Sequence, residues 1–315
     1  MATLSPLMVS SPLESGRGIL LLLGGLFLFS VQDLILKSLS GNYPLYEAMI
    51  LRGLTAMPII AAMAWVEGGL RSLWTPGTLR MIGRGLTMFV AYTAYYIALP
   101  ALPLATTVAL YFSAPLFITV LSVLILKEHV GPRRWAAVTA GFTGVIIMVR
   151  PGAELFEWAA LLPILSGLGY ALAMIQARSL GRTESAAAMA FWGNAVFLAL
   201  ALAMAAVFGG GAFDGASHPS LAFLTRGWVS PSWTDAGLMA ACGVIAAAGL
   251  VLLTQAYRIA ESNVIAPFEY SAMIWGVLWG WLFFANWPDA QGWTGIFIIV
   301  GAGLYVAWRE RVRKG

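Results

Sequence analysis

Ten continuously apolar stretches follow one another along this chain, at about 18–36, 45–66, 81–99, 103–126, 134–149, 158–178, 186–208, 236–257, 263–285 and 292–308. A hydrocarbon layer about 30 Å thick takes about 20 such residues per helix. Lipid offers a peptide group no hydrogen-bond partner, so only helices or closed barrels persist there. Barrel strands alternate over about 10 residues, whereas these runs are uniformly apolar over about 16–24. The sequence therefore predicts an all-α integral membrane protein with ten transmembrane helices. Its spans use most of the 315 residues and leave no length for a soluble domain. Only 10% of the residues are charged, against roughly 25% in soluble domains.

The second half repeats the first. Lys37-Ser38-Leu39 and Met49-x-x-x-Gly53 are echoed by Arg178-Ser179-Leu180 and Met189-x-x-x-Gly193, and Ser113-Ala114 and Trp135 recur 158 positions later as Ser271-Ala272 and Trp293. The predicted units are a cytoplasmic tail (1–17), a five-helix repeat (18–150), a second five-helix repeat (155–308) and a basic tail (309–315). Arg150-Pro151-Gly152-Ala153-Glu154 joins the halves. Five spans per half make the copies enter the membrane from opposite sides. Such inverted repeats give transporters two near-equivalent packings around one site.

The net charge of +4 reflects topology, not a nucleic-acid partner. With the N-terminus inside, the cytoplasmic tails and connections (near 67–84, 127–134, 178–185 and 258–262) hold 14 of the 18 Lys and Arg. The opposite loops hold Lys37, Arg150 and Arg226, and Arg52 lies within a span. Basic residues favour the cytoplasmic side, so both termini are expected there. The first apolar run ends in Gln32, Asp33 and Lys37 with no cleavage-like site. It reads as a retained helix, not a signal peptide. The expected location is a bacterial plasma (inner) membrane. Cys242 is the single cysteine, which excludes an intrachain disulfide. The small-residue pairs at Ala137/Gly141, Ala140/Gly144 and Gly276/Gly280 suit close helix packing within the molecule. The long connection at 209–234 reads as a tolerated outer insertion, with a lid as the alternative.

Laying one half on the other sets Tyr111 against Glu269 and Arg52 against Trp192, each about eight residues inside its helix, or about 12 Å. Entering from opposite faces, all four are expected near the midplane, where such transporters bind their solute. Glu269 must face a cavity, meet a cation or carry a proton at that depth. Arg52 cannot deprotonate, so it needs an anion, water or a structural partner. Gln32, Tyr95, Tyr270, Asn194 and Gln255 complete the candidate substrate-binding set. Asp33 and Lys37, one turn apart, read as an ion pair. Pro58, Pro115, Pro163 and Pro267 interrupt spans. Pro115 and Pro267 are the candidate gating positions, because broken helices border transporter sites.

The fourth span closes on Ala114-Pro115-Leu116, Leu124-Ile125-Leu126-Lys127-Glu128-His129, Trp135 and Gly141-x-x-Gly144. Together with Arg52, these motifs resemble the repeat of the drug/metabolite transporter superfamily, of EamA type with ten transmembrane helices. Lys127 stands where that repeat carries glycine, and Asn286 stands in the second half where Glu128 stands in the first. The resemblance implies a secondary carrier working by alternating access. It points first to the branch that exports amino acids, aromatic or otherwise apolar; a vitamin, nucleobase or other metabolite importer is the alternative. Coupling to protons is compatible with Glu269. No metal or cofactor is expected, and an intramembrane enzyme is disfavoured. The two histidines, His129 and His218, lie in loops, and no Ser–His or metal-ligand grouping occurs in a span.

Overall fold

The computed structural model describes residues 12–127, 129–151, 157–181, 183–260 and 262–314. The start of the N-terminal tail, Glu128 and linker residues Gly152, Ala153 and Glu154 lie outside the described residues. All regular elements among the described residues are helical: α1 (Pro12–Leu39), α2 (Leu45–Gly68), α3 (Thr78–Ala98), α4 (Leu104–Tyr111), α5 (Ala114–Leu126), α6 (Pro132–Val149), α7 (Leu161–Leu180), α8 (Ala186–Phe208), α9 (Pro219–Thr225), α10 (Trp233–Ile259), α11 (Ser262–Ile265), α12 (Ala272–Phe284) and α13 (Ala290–Lys314). Short 3₁₀ turns occupy Leu70–Leu73, Trp158–Ala160 and Ala266–Ser271.

Among the described residues, seven helical segments are long and apolar enough to cross a bilayer: Gly16–Leu39, Leu45–Gly68, Leu104–Leu126, Trp158–Leu180, Ala186–Phe208, Trp233–Ile259 and Ala290–Trp308. The other three expected spans are helical but depart from that pattern for visible reasons. Arg80 and Arg84 lie in the first two turns of α3, α6 opens on Pro132-Arg133-Arg134, and the 3₁₀ turn divides α11 from α12.

Two breaks match. The α4–α5 rod is interrupted before Ala114, and α12 starts at Ala272, 158 positions on; both following helices have 13 residues. Each ends on a left-handed residue, Lys127 at φ 55° and Ala285 at φ 52°. Pro115 lies in the first turn of α5, and Pro267 opens the 3₁₀ turn, so both candidate gating prolines stand at discontinuities. Pro58 is inside α2. Pro163 is in the first turn of α7, where a missing N–H costs little.

Helix pairing has its own order. α1 lies along α10 and α3 along α7; α2 packs on α8 and α10, and α3 on α8; α5 meets α7 and α1 meets α12; α4 meets α12 and α6 meets α13. Exchanging α1 with α7, α2 with α8, α3 with α10, α4–α5 with α11–α12, and α6 with α13 returns the same set. The glycines sit at these seams. A Cβ on Gly141 would lie 2.5 Å from Leu116, and one on Gly144 2.9 Å from Ile298 of α13. The small-residue pairs thus serve packing within the molecule.

One end of the bundle is closed and the other divided. At the end reached by Lys37, the main core joins Leu39, Tyr43, Tyr46, Leu99, Leu102, Ala159 and Phe223. At the end of Trp192 the packing separates. Leu22, Ala256, Ala260 and Ile265 form one cluster; Ala64, Leu73, Met81, Leu180, Ala187 and Ala188 form another.

The 209–234 segment is not a loose insertion. It carries α9, buries Phe223 in the main core, and is tied to the start of α2. Arg226 donates to the carbonyls of Ser40 (3.4 Å) and Tyr43 (3.2 Å), and its own carbonyl accepts from the Tyr46 hydroxyl at 3.0 Å. The Val229 N–H reaches the buried Glu47 carboxylate at 2.6 Å. On the far side, His218 Nε2 lies 3.0 Å from Glu157. Polar backbone in a chain this apolar must find partners, and here they come from neighbouring helix ends.

Candidate functional site

Between the closed end and the divided end, polar side chains from seven helical rods converge. From α1, Gln32 donates to the Tyr96 hydroxyl of α3 at 2.7 Å and accepts from Arg52 Nε of α2 at 3.4 Å. The Arg52 guanidinium also lies over the Phe197 ring of α8, 5.3 Å from its centre. Gln32 is 2% exposed, so its amide has one fixed use: it relays Arg52 to Tyr96.

Asp33 and Lys37 do not pair. The Tyr95 hydroxyl donates to Asp33 at 2.8 Å. Lys37 turns to the carbonyls of Leu99 and Leu102, the latter at 2.7 Å, and lies 5.1 Å from the Phe284 ring centre. The turn between α3 and α4 leaves helix-terminal carbonyls that need donors. Satisfying them outweighs an exposed-type ion pair worth a few tenths of a kcal/mol.

A run of aromatic rings crosses the interior. Ring centres of Tyr92 and Tyr96 are 5.9 Å apart, Tyr95 and Tyr111 5.4 Å, and Tyr111 and Tyr170 5.7 Å. The hydroxyls of Tyr92, Tyr111 and Tyr170 have no partner among the described residues, and these residues are half-buried, not sealed. Glu269 stands on the Ala266–Ser271 turn, where the break between α11 and α12 presents it, and accepts from the Tyr257 hydroxyl of α10. It is not a partner for Arg52. Arg84, in α3, donates Nε–H to the Ala173 carbonyl of α7 at 3.3 Å. Neither intramembrane arginine has a carboxylate partner among the described residues.

The structure thus gathers Glu269, Arg52, Tyr111, Gln32 and Tyr95. It sends other expected residues elsewhere. Trp192 lies at the divided end, donating to the Leu73 carbonyl at 2.7 Å and meeting Trp74 edge-on at 4.8 Å. Sequence alignment set its depth by symmetry, but α8 begins only at Ala186, so it is less than two turns inside. Asn194 donates to the Gly53 carbonyl at 3.0 Å and pins α8 to α2. Tyr270 stacks on Phe112 at 4.9 Å with its sealed hydroxyl against Gly303 of α13. Gln255 is exposed on α10. Asp33, Arg84, Tyr92, Tyr170 and Tyr257 are the lining residues that sequence reasoning left out. The charges at the start of its helix make Arg84 read, in sequence, as part of a connection. The tyrosines carried a compositional signal without a direction.

Aromatic rings packed largely edge to face, beside a guanidinium, phenols and a carboxylate, can hold a planar ring by aromatic contact and its polar edge by hydrogen bonds. Residues 16–150 match the model of the EamA-like transporter family. A riboflavin transporter of Rhizobium johnstonii is 31% identical, over 78% of this chain and 76% of its own length. An S-adenosylmethionine uptake transporter of Rickettsia prowazekii is 24% identical over 94% of each chain. A crystal structure with 17% identity superposes on 95% of this chain and 99% of its own, at a TM-score of 0.62, and shares the fold. The family match covers the first half and the Rhizobium relative extends over most of the chain, so this protein belongs to the EamA-like transporter family.

Proposed function

We propose that this membrane transporter takes up a heteroaromatic metabolite of vitamin or nucleoside type, as a secondary carrier using alternating access. The observation that carries the reading is the row of half-buried phenols, Tyr92, Tyr111 and Tyr170, whose hydroxyls have no protein partner among the described residues, beside an Arg52 with no carboxylate partner among them. A planar heterocycle supplies both the stacking face and the ring acceptors those groups lack. The relatives named for riboflavin and S-adenosylmethionine transport favour such solutes over the amino-acid export expected first. Both named solutes contain a nitrogen heterocycle.

Ten crossings in two inverted five-helix repeats, with both termini on the basic, cytoplasmic side of a bacterial inner membrane, complete the proposal. The exchange-invariant helix contacts and the paired breaks 158 residues apart support the duplication. In this orientation the closed end faces out and the divided end faces in. Glu269 and Asp33 are the carboxylates available to bind a coupled proton. Counterflow into proteoliposomes with labelled riboflavin, S-adenosylmethionine and phenylalanine tests the substrate class. Exchange of either of the first two is expected; exchange of phenylalanine alone would overturn it.

A further inference from the structure

Arg84 is an arginine that the fold carries into the bundle without giving it a counter-ion. It is the seventh residue of α3, about 9 Å along the helix from its start. Its one protein bond is the Nε–H to the Ala173 carbonyl at 3.3 Å, which sets the plane of the guanidinium. Both terminal amino groups are left without a partner among the described residues, and the side chain is half-buried. A guanidinium cannot discharge its cost by losing a proton. One neutral carbonyl does not replace its hydration. The fork needs a second, planar acceptor.

The surroundings say where that acceptor comes from. Gln176 of α7 donates to Thr87 of α3 at 3.3 Å across the same seam, while its buried carbonyl oxygen has no partner among the described residues. Tyr170, on α7 one turn before Ala173, meets Tyr111, and Tyr92, about two turns beyond Arg84 on α3, lies against Tyr96. Arg84 therefore looks onto the same tyrosine-lined space as the sequence-identified residues. It does so from a different depth. Arg52 lies about 10 Å from the closed end along α2, whereas Arg84 lies about 9 Å from the divided end along α3. The two guanidinia thus lie toward opposite ends of the bundle, with the phenols between.

We infer that Arg84 is a specificity-determining residue, holding a coplanar pair of acceptor atoms on the solute at the end of the cavity opposite Arg52. A carboxylate presents that pair, and so does the edge of an oxidised flavin-type ring where a carbonyl oxygen stands beside an unprotonated ring nitrogen; a guanidinium fork meets either bidentately. The inference rests on the proposed uptake function and adds which part of the solute the inner half of the cavity reads.

The test uses the purified protein in nanodiscs and proteoliposomes, with riboflavin as the flavin probe and S-adenosylmethionine as the carboxylate probe. Arg84→Lys keeps a donor for Ala173 and the charge but loses the fork. It is expected to raise KM at least about tenfold for the bound solute, with kcat and the solute-free melting temperature little changed. A purely structural arginine would show the reverse, lowered melting temperature with unchanged KM, and that result overturns the inference. If the variant does not fold, the wild type answers directly. Bound solute should shield Arg84 from phenylglyoxal, read by peptide mass spectrometry. A solute that binds yet leaves Arg84 fully reactive overturns this inference alone; failure of the wild type to bind either probe overturns the uptake reading as well.

Discussion

Glu269 and Lys127 show how much hangs on single residues here. Glu269→Gln can still accept from Tyr257 while losing its charge. Transport should fall at least about tenfold, the scale of one charge-assisted hydrogen bond, with normal amounts of folded protein. Wild-type rates across pH would remove Glu269 from the site. Lys127 holds φ 55°, a conformation that costs a residue with a Cβ about 1–2 kcal/mol. Glycine removes that strain but loses more entropy on folding, about 0.5–1 kcal/mol. Lys127→Gly should therefore stabilise the protein by up to about 1 kcal/mol, seen as a raised thermal midpoint; a lowered midpoint would contradict it. Resemblance alone had marked Lys127 as a departure. The backbone supplies the reason glycine is the usual residue.

At the scale of elements, the 209–234 segment holds the closed end through bonds that a carrier must break to open there. Val229→Pro removes the N–H that serves Glu47, and a buried carboxylate losing its donor costs about 1–3 kcal/mol. Ser220 is a suitable reporter: it is 0% exposed and its hydroxyl has no partner, so Ser220→Cys disturbs little. With Cys242 replaced by alanine, maleimide labelling of that cysteine should be at least about tenfold faster when Val229→Pro is added. Equal rates would show that the segment does not govern this end. The opposite latch is titratable. Burial pushes the Glu157 carboxyl up, but the Ala159 N–H and His218 outweigh it, so it sits below its ordinary 4.5. A depressed carboxylate contributes fully above its unfolded value and loses that contribution as pH falls through the folded one. The cap should therefore loosen in acid below about pH 4.5, measured as faster hydrogen exchange in 209–234 after correction for intrinsic rates.

For the whole molecule, the decisive property is sidedness. If the halves are inverted and the basic end is cytoplasmic, cysteines at Ser72 and Ala212, in a Cys242→Ala background, should label from opposite sides of the membrane. An impermeant reagent added to intact cells should reach only position 212. Labelling of both from outside would overturn the topology. The exchange of counterpart helices leaves the contact set unchanged, yet the chemistry is not exchanged with it. Arg52 and Trp192 occupy aligned positions, and one lines the interior while the other braces a helix end.

The sequence by itself determined that the chain is a bundle of apolar helices and roughly where each begins. These follow from local quantities: run length, apolarity and repeated spacing, which need no partner to be read. Arg52, Glu269, Tyr111, Gln32 and Tyr95 were also legible, because polar groups are rare in such helices. Tertiary structure alone decided what each polar group does. A helix turns about 100° per residue, so an error of one or two residues in a boundary redirects a side chain from cavity to seam. Hydrogen bonds are then settled by competition among groups distant in sequence. Lys37 left Asp33 for the carbonyls of the α3–α4 turn, Asn194 was claimed by Gly53, and Arg84 was carried inside by the position of α3.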